Sequence, residues 1–185
     1  MNKVGGGNIS DRELIAACLS NSRKAQEQLY RKYAKTMFHV CLSYCADRDQ
    51  AKDILQEAFI KAFRKLDTFA TANSFEGWLR RIVVNTALDH LRKSKKWSFI
   101  TIEEQVAEPE DTADVPAFPY STGKVLRLIG ELPPGARAVF NLYALDELSH
   151  KEIAGRLKIS EGTSKSQYNR ARALLRRWLK EEEEQ

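Results

Sequence analysis

Apolar residues recur at spacings of three and four along most of this chain, the period of an amphipathic helix. The widest stripe is Ala51, Ile54, Leu55, Ala58, Phe59, Ala62, Phe63 and Leu66, which predicts a helix over about 49–66. Before it, Ala25, Leu29, Tyr33, Met37, Val40, Cys41 and Tyr44 predict a helix over about 23–45. A shorter first helix opens at Ser10 and ends near Ser20. Glu13, three residues after Ser10, completes a capping box in which hydroxyl and carboxylate satisfy each other's backbone N–H. Phe75, Trp78, Leu79, Ile82, Val83 and Thr86 predict a fourth helix, from Asn73 or Ser74 to about 95, preceded by a polar loop at 67–73. Periodicity stops at 97 and resumes at 123. One helix is expected over 123–132 and another over 136–145, separated by Pro133-Pro134-Gly135, with Pro134 suited to a first helical turn. Ser149 and Glu152 form a second capping box and open a short helix to about 157. A tight turn over 158–162 leads into a long helix over about 163–180.

The gap over 97–122 carries Pro109, Pro116 and Pro119 and no helical period, the pattern of a linker with little structure of its own. The fold class that follows is all-α: two small helical domains, 10–96 and 123–180, joined by an acidic flexible linker over 97–122. The carboxylates of 181–184 oppose the helix macrodipole, so the chain is expected to fray there.

Composition narrows the function. With 43% apolar residues the chain can build a core, and no apolar run approaches the ~18 residues of a membrane span. The first residues lack the apolar segment of a secretory signal. Cys18, Cys41 and Cys45 are odd in number and lie on expected helices, which fits core thiols in a reducing cytosol better than a disulfide framework. Charge is unevenly spread. Residues 1–95 hold 17 Lys/Arg against 10 Asp/Glu, residues 96–120 hold 1 against 6, and residues 121–185 hold 12 against 9. Two basic blocks flanking an acidic strip point to a polyanionic partner.

The last helix is the best candidate for that contact. Short helix, tight turn and long basic helix form a helix-turn-helix arrangement. Lys165, Asn169, Arg172 and Arg176 share one face, widened by Ser166, Arg170 and Arg177. Lys165, Ser166 and Arg170 lie near the helix start, where side chains reach base edges in a major groove, and Arg172 and Arg176 are placed for phosphates. A second polar face lies on the fourth helix, where Arg81, Asn85, Asp89 and Arg92 align. Asn85 both donates and accepts, so it can read a base edge while Arg81 and Arg92 hold the backbone. On pattern alone this is equally an ordinary exposed face, as is the one formed by Asp53, Gln56, Glu57 and Lys61. No catalytic constellation emerges. His39, Cys41 and Cys45 lack a fourth metal ligand, Gly5-Gly6-Gly7 follows no strand, and His90 and His150 have no nucleophile beside them. No metal, cofactor or small-molecule ligand is expected.

Three stretches resemble the sigma-70 superfamily in its compact two-domain form, the extracytoplasmic-function sigma factors. AQEQLYRKYAKTMFHVCLSYCADRDQAKDILQEAFIKAFRKLDTF resembles the first half of a sigma-2 domain, and SFEGWLRRIVVNTALDHLRK its promoter-melting helix. LPPGARAVFNLYALDELSHKEIAGRLKISEGTSKSQYNRARALLRRWL resembles a sigma-4 domain. The resemblance implies a non-enzymatic, cytoplasmic protein that binds core RNA polymerase, directs it to −35 and −10 promoter elements and promotes melting. It implies that Asp53, Gln56 and Glu57 dock on the β′ clamp helices, that the sigma-4 domain touches the β-flap, and that the 67–73 loop captures a flipped −10 nucleotide. It implies that Asn85 contacts the −10 element, that the last helix reads the −35 element, and that the acidic linker threads the polymerase cleft. It implies an anti-sigma protein as regulator. Two departures stand out: Lys158 occupies a turn position where the family often has Gly, and Gln167 and Asn169 stand where basic or apolar residues are common. The alternatives are a stand-alone helix-turn-helix regulator that binds duplex DNA without polymerase, and a sigma-like decoy that only binds an anti-sigma protein.

Overall fold

The computed structural model describes residues 9–45, 47–69, 74–93 and 122–183. The expected linker up to residue 121, Lys95 and Lys96, and most of the expected capture loop lie outside them. Among the described residues the secondary structure is helical: α1 Asp11–Leu19, α2 Arg23–Tyr44, α3 Arg48–Arg64, a single 3₁₀ turn Leu66–Thr68, α4 Phe75–Lys93, α5 Thr122–Glu131, α6 Pro134–Ala144, α7 His150–Leu157 and α8 Glu161–Glu183.

Caps fix the starts of these helices. The Ser10–Glu13 and Ser149–Glu152 capping boxes form as expected. Ser22 caps α2, and Asp47 accepts from the Gln50 N–H at 2.6 Å, so α3 starts at Arg48 rather than at Asp49. The Ser160 hydroxyl accepts from the Thr163 N–H at 2.9 Å, so α8 starts at Glu161, two residues earlier than the turn pattern suggested. The other end of α8 departs further from expectation. It continues to Glu183 instead of fraying, because Glu182 pairs with Lys124 at 2.9 Å and with Arg127, both on α5. Two cations from another helix offset the unfavourable dipole.

The first core cluster belongs mainly to α1–α4. Leu29, Met37, Ile54, Leu79, Val83 and Leu88 are fully buried in it. Trp78 is only partly buried, but it packs with Phe69 and Phe75 at 5.5 Å, centroid to centroid, as part of the core. All three cysteines are buried with free thiols, and the Cys45 thiol donates to the Cys41 carbonyl at 3.2 Å. Burial pushes the Cys41 thiol up to about 12 and the Cys45 thiol to about 11. The second cluster joins Leu128, Ile129, Leu132, Ala136 and Phe140 to Ala171, Leu175 and Leu179 of α8. The two helical units touch. Ala138, Val139, Leu142, Ile153 and Leu157 belong to the first cluster although they lie on α6 and α7.

Candidate nucleic-acid interface

The start of α8 is held from beneath. Ser164 is fully buried and its hydroxyl meets His150 Nδ1 at 2.9 Å. Gln167 is 5% exposed, and Tyr168 stacks on Phe140 and against Tyr143. Burial lowers the pKa of His150, and the neighbouring Lys165 charge lowers it further. With these residues turned inward, Lys165 and Ser166 stand exposed on the outer face. Ser166 donates to the Thr163 carbonyl at 3.0 Å, which orients its hydroxyl. Arg170, Arg172 and Arg176 are half-buried further along, and the Arg172 guanidinium lies 5.8 Å from the centre of the Tyr168 ring. Gln167 is therefore a core residue of the helix-turn-helix and no part of the outer face of α8. The turn itself carries Lys158 at φ 57°, ψ 45°, a left-handed backbone.

On α4, Arg81 and Asn85 are exposed as the pattern requires. Arg92 is not free: its guanidinium pairs with Asp89 of the same helix and donates to the Leu88 carbonyl at 3.4 Å. Asp89 also lies 3.9 Å from Lys61. The cation available to a phosphate at this end of the face is thus partly neutralised from within.

The α3 face is divided. Asp53 and Gln56 are exposed. Glu57, expected beside them in solvent, is turned toward α4: one oxygen takes Lys61 at 2.7 Å and the other meets His90 Nε2 at 2.5 Å. The Lys61 ammonium and the His90 ring hold its carboxyl down at about 2. Lys61 also donates to the buried Thr86 hydroxyl at 3.3 Å. Helical periodicity gave the azimuth of Glu57 but not the packing angle that brings His90 over it. Ile60, 51% exposed one turn beyond Gln56, extends the outer face as an exposed apolar side chain that the charge pattern alone did not single out.

Residues 29–97 match Sigma-70 region 2, and residues 122–175 match Sigma-70, region 4. The chain is 33% identical to the ECF RNA polymerase sigma factor SigM of Mycobacterium tuberculosis, over 92% of this chain and 85% of that protein. The chain belongs to the sigma-70 family of sigma factors. It is also 31% identical to the ECF RNA polymerase sigma-E factor of Escherichia coli, covering 90% of this chain and 93% of that one. Two solved structures share the fold with a TM-score of 0.50. One is CnrH in complex with the cytosolic domain of CnrY, 25% identical over 92% of this chain and 97% of that one. The other is the sigma factor RpoE in complex with the anti-sigma factor NepR from Bartonella quintana, 21% identical over 83% and 96%. This is a sigma factor of transcription initiation, and the stand-alone regulator is set aside: a region 2 match beside a region 4 match is what a helix-turn-helix regulator does not need. Among the described residues no helix of the sigma factor is long and apolar enough to cross a membrane.

One group of residues escaped the sequence reading. Asp146, in the loop after α6, accepts from the Tyr44 hydroxyl of α2 at 2.6 Å and from Arg80 Nε of α4 at 2.8 Å. Separations of 102 and 66 residues leave no local signal for such contacts.

Proposed function

We propose that this sigma factor carries its promoter contacts on two separate units, with 10–96 as the −10 and polymerase-binding domain, 97–122 as linker and 123–180 as the −35 domain. The observation that carries the reading is the presence of one exposed polar face on each unit, Arg81 with Asn85 on α4 and Lys165 with Ser166 on α8. Lys165, Ser166 and Arg170 read −35 base edges, and Arg172 and Arg176 hold phosphates beside them. Asn85 contacts a −10 base once it is unpaired, flanked by Arg81 and by the Asp89-paired Arg92. Asp53, Gln56 and Glu57 belong to the polymerase-docking side, with Asp53 and Gln56 making direct contact and Glu57 setting the helix that carries them. The protein performs no chemistry of its own. It works in the cytoplasm with core RNA polymerase and promoter DNA, and an anti-sigma protein restrains it, as the solved complex of RpoE with NepR illustrates for that relative.

Run-off transcription with core polymerase separates these roles. Lys165→Ala and Arg170→Ala should each cost ~1–3 kcal/mol of promoter binding and relax preference at one or two −35 positions. Asn85→Ala should leave closed-complex binding near normal and reduce opening, with the deficit shrinking on a template whose −10 region is pre-melted by mismatches. Extruding a base costs a few kcal/mol, which is where Asn85 would contribute. Permanganate footprinting reads the open bubble. If Asn85→Ala opens promoters like the wild type, or loses affinity for fully paired DNA as Lys165→Ala does, the role given to α4 fails.

A further inference from the structure

The two units of the free protein are joined at a polar junction around Asp146. Its carboxylate is 14% exposed and takes two donors from the first unit, Tyr44, itself 3% exposed, and Arg80. Arg81 and Arg156 line the same cavity of about 220 Å3, so among the described residues lining it Asp146 is the one carboxylate, set against three guanidiniums. A third contact closes the junction alongside: the Asn141 side-chain amide of α6 donates to the Ser43 carbonyl of α2. Apolar packing of Val139 and Leu142 against the first core lies beneath.

This closed arrangement is incompatible with promoter recognition by both units, a point that rests on the function proposed above. Elements centred near −35 and −10 lie ~25 base pairs apart, ~85 Å along B-form DNA at ~3.4 Å per step. A compact chain of 185 residues has a radius of gyration of ~16 Å and is only ~40 Å across. Residues 94–121 number 28 and reach at most ~100 Å when extended. The connection therefore permits the required separation, but only after the junction has come apart.

We propose that Asp146 is a latch: by accepting from Arg80 and Tyr44 it holds the sigma-4 unit on the sigma-2 unit in the free protein, and its release is a required step before promoter binding. The charge count explains why this one residue tips the balance of a junction that also has apolar packing beneath it. Without the Asp146 charge, Arg80, Arg81 and Arg156 face one another across the cavity uncompensated, and the junction repels itself.

Small-angle scattering on the free full-length protein tests this without polymerase. The wild type should scatter as a compact body, and Asp146→Asn should expand it by several ångströms with its helical circular dichroism unchanged. The charge exchange Arg80→Asp with Asp146→Arg should restore compactness, which a folding defect would not do. Free Asp146→Asn should also bind promoter duplex ~3–10-fold more tightly, since the competent open state is no longer a minor one. Run-off transcription with core polymerase should be retained by Asp146→Asn. A wild type already expanded, an Asp146→Asn protein as compact as the wild type, or expansion with lost helicity that the charge exchange does not reverse, would each overturn the latch. Absence of transcription by the wild type would instead overturn the sigma assignment and leave the scattering result standing.

Discussion

Lys158 shows how much one residue's backbone decides in this fold. It closes α7 in the left-handed region, where a side chain with a Cβ meets the following carbonyl and glycine does not. Lys158→Gly should therefore stabilise the protein by ~1 kcal/mol in urea denaturation, less whatever the more flexible unfolded chain gives back. An unchanged or lower midpoint would mean that the Lys158 stem packs usefully on the turn. The cysteines make a second case at this scale. Reactivity requires the thiolate, and burial raises all three thiols, Cys41 and Cys45 furthest, to about 12 and about 11. Ellman's reagent at pH 8 should label them slowly in the native protein and fully after unfolding; fast labelling of one thiol would show local opening of α2 or α1.

At the scale of the element, α3 and α4 are coupled by Glu57. The charged form of Glu57 is favoured in the folded state, first by the Lys61 hydrogen bond and then by His90. Its folded pKa, about 2, lies below the ordinary glutamate value of 4.5, so its stabilisation is present above pH 4.5 and is lost as pH falls toward 2. The pair is partly exposed, which keeps its worth at ~1 kcal/mol or less. Glu57→Gln should lower stability at pH 6 by that amount, and the difference from wild type should vanish near pH 2; a constant difference across the range would assign the effect to packing. The same geometry sharpens the docking test. Charge reversal at Glu57 would disturb α4 as well as any interface. Asp53→Lys with Gln56→Ala is the cleaner variant, because both side chains are exposed on α3. It should weaken co-purification with core polymerase and leave the thermal melt unchanged.

At the scale of the whole molecule, the first core cluster crosses from one unit to the other through Val139, Leu142, Ile153 and Leu157. Leu142 is fully buried. Leu142→Ala should cost ~2–5 kcal/mol, the transfer term plus the cavity it leaves. Because Leu142 serves both units, calorimetry should resolve two transitions where the wild type melts in one. A single transition shifted downward would place the cost inside the sigma-4 unit alone.

Much of this protein is written locally. The periodic apolar positions, the two capping boxes and Pro134 specified the helices, their order and most of their ends, because each signal acts within one or two turns. The exposed basic face of α8 and the Arg81–Asn85 face of α4 were legible for the same reason: helical azimuth follows from spacing. What spacing does not contain is the angle and distance at which one helix meets another. Only tertiary packing turned Glu57 toward His90, sank Gln167 into the helix-turn-helix, fixed the α8 terminus through Lys124 and Arg127, and brought Asp146 between Tyr44 and Arg80. Each of these is a polar contact made over a long sequence separation or set by a neighbouring helix, and its partner is chosen by the three-dimensional fold rather than by the residues beside it.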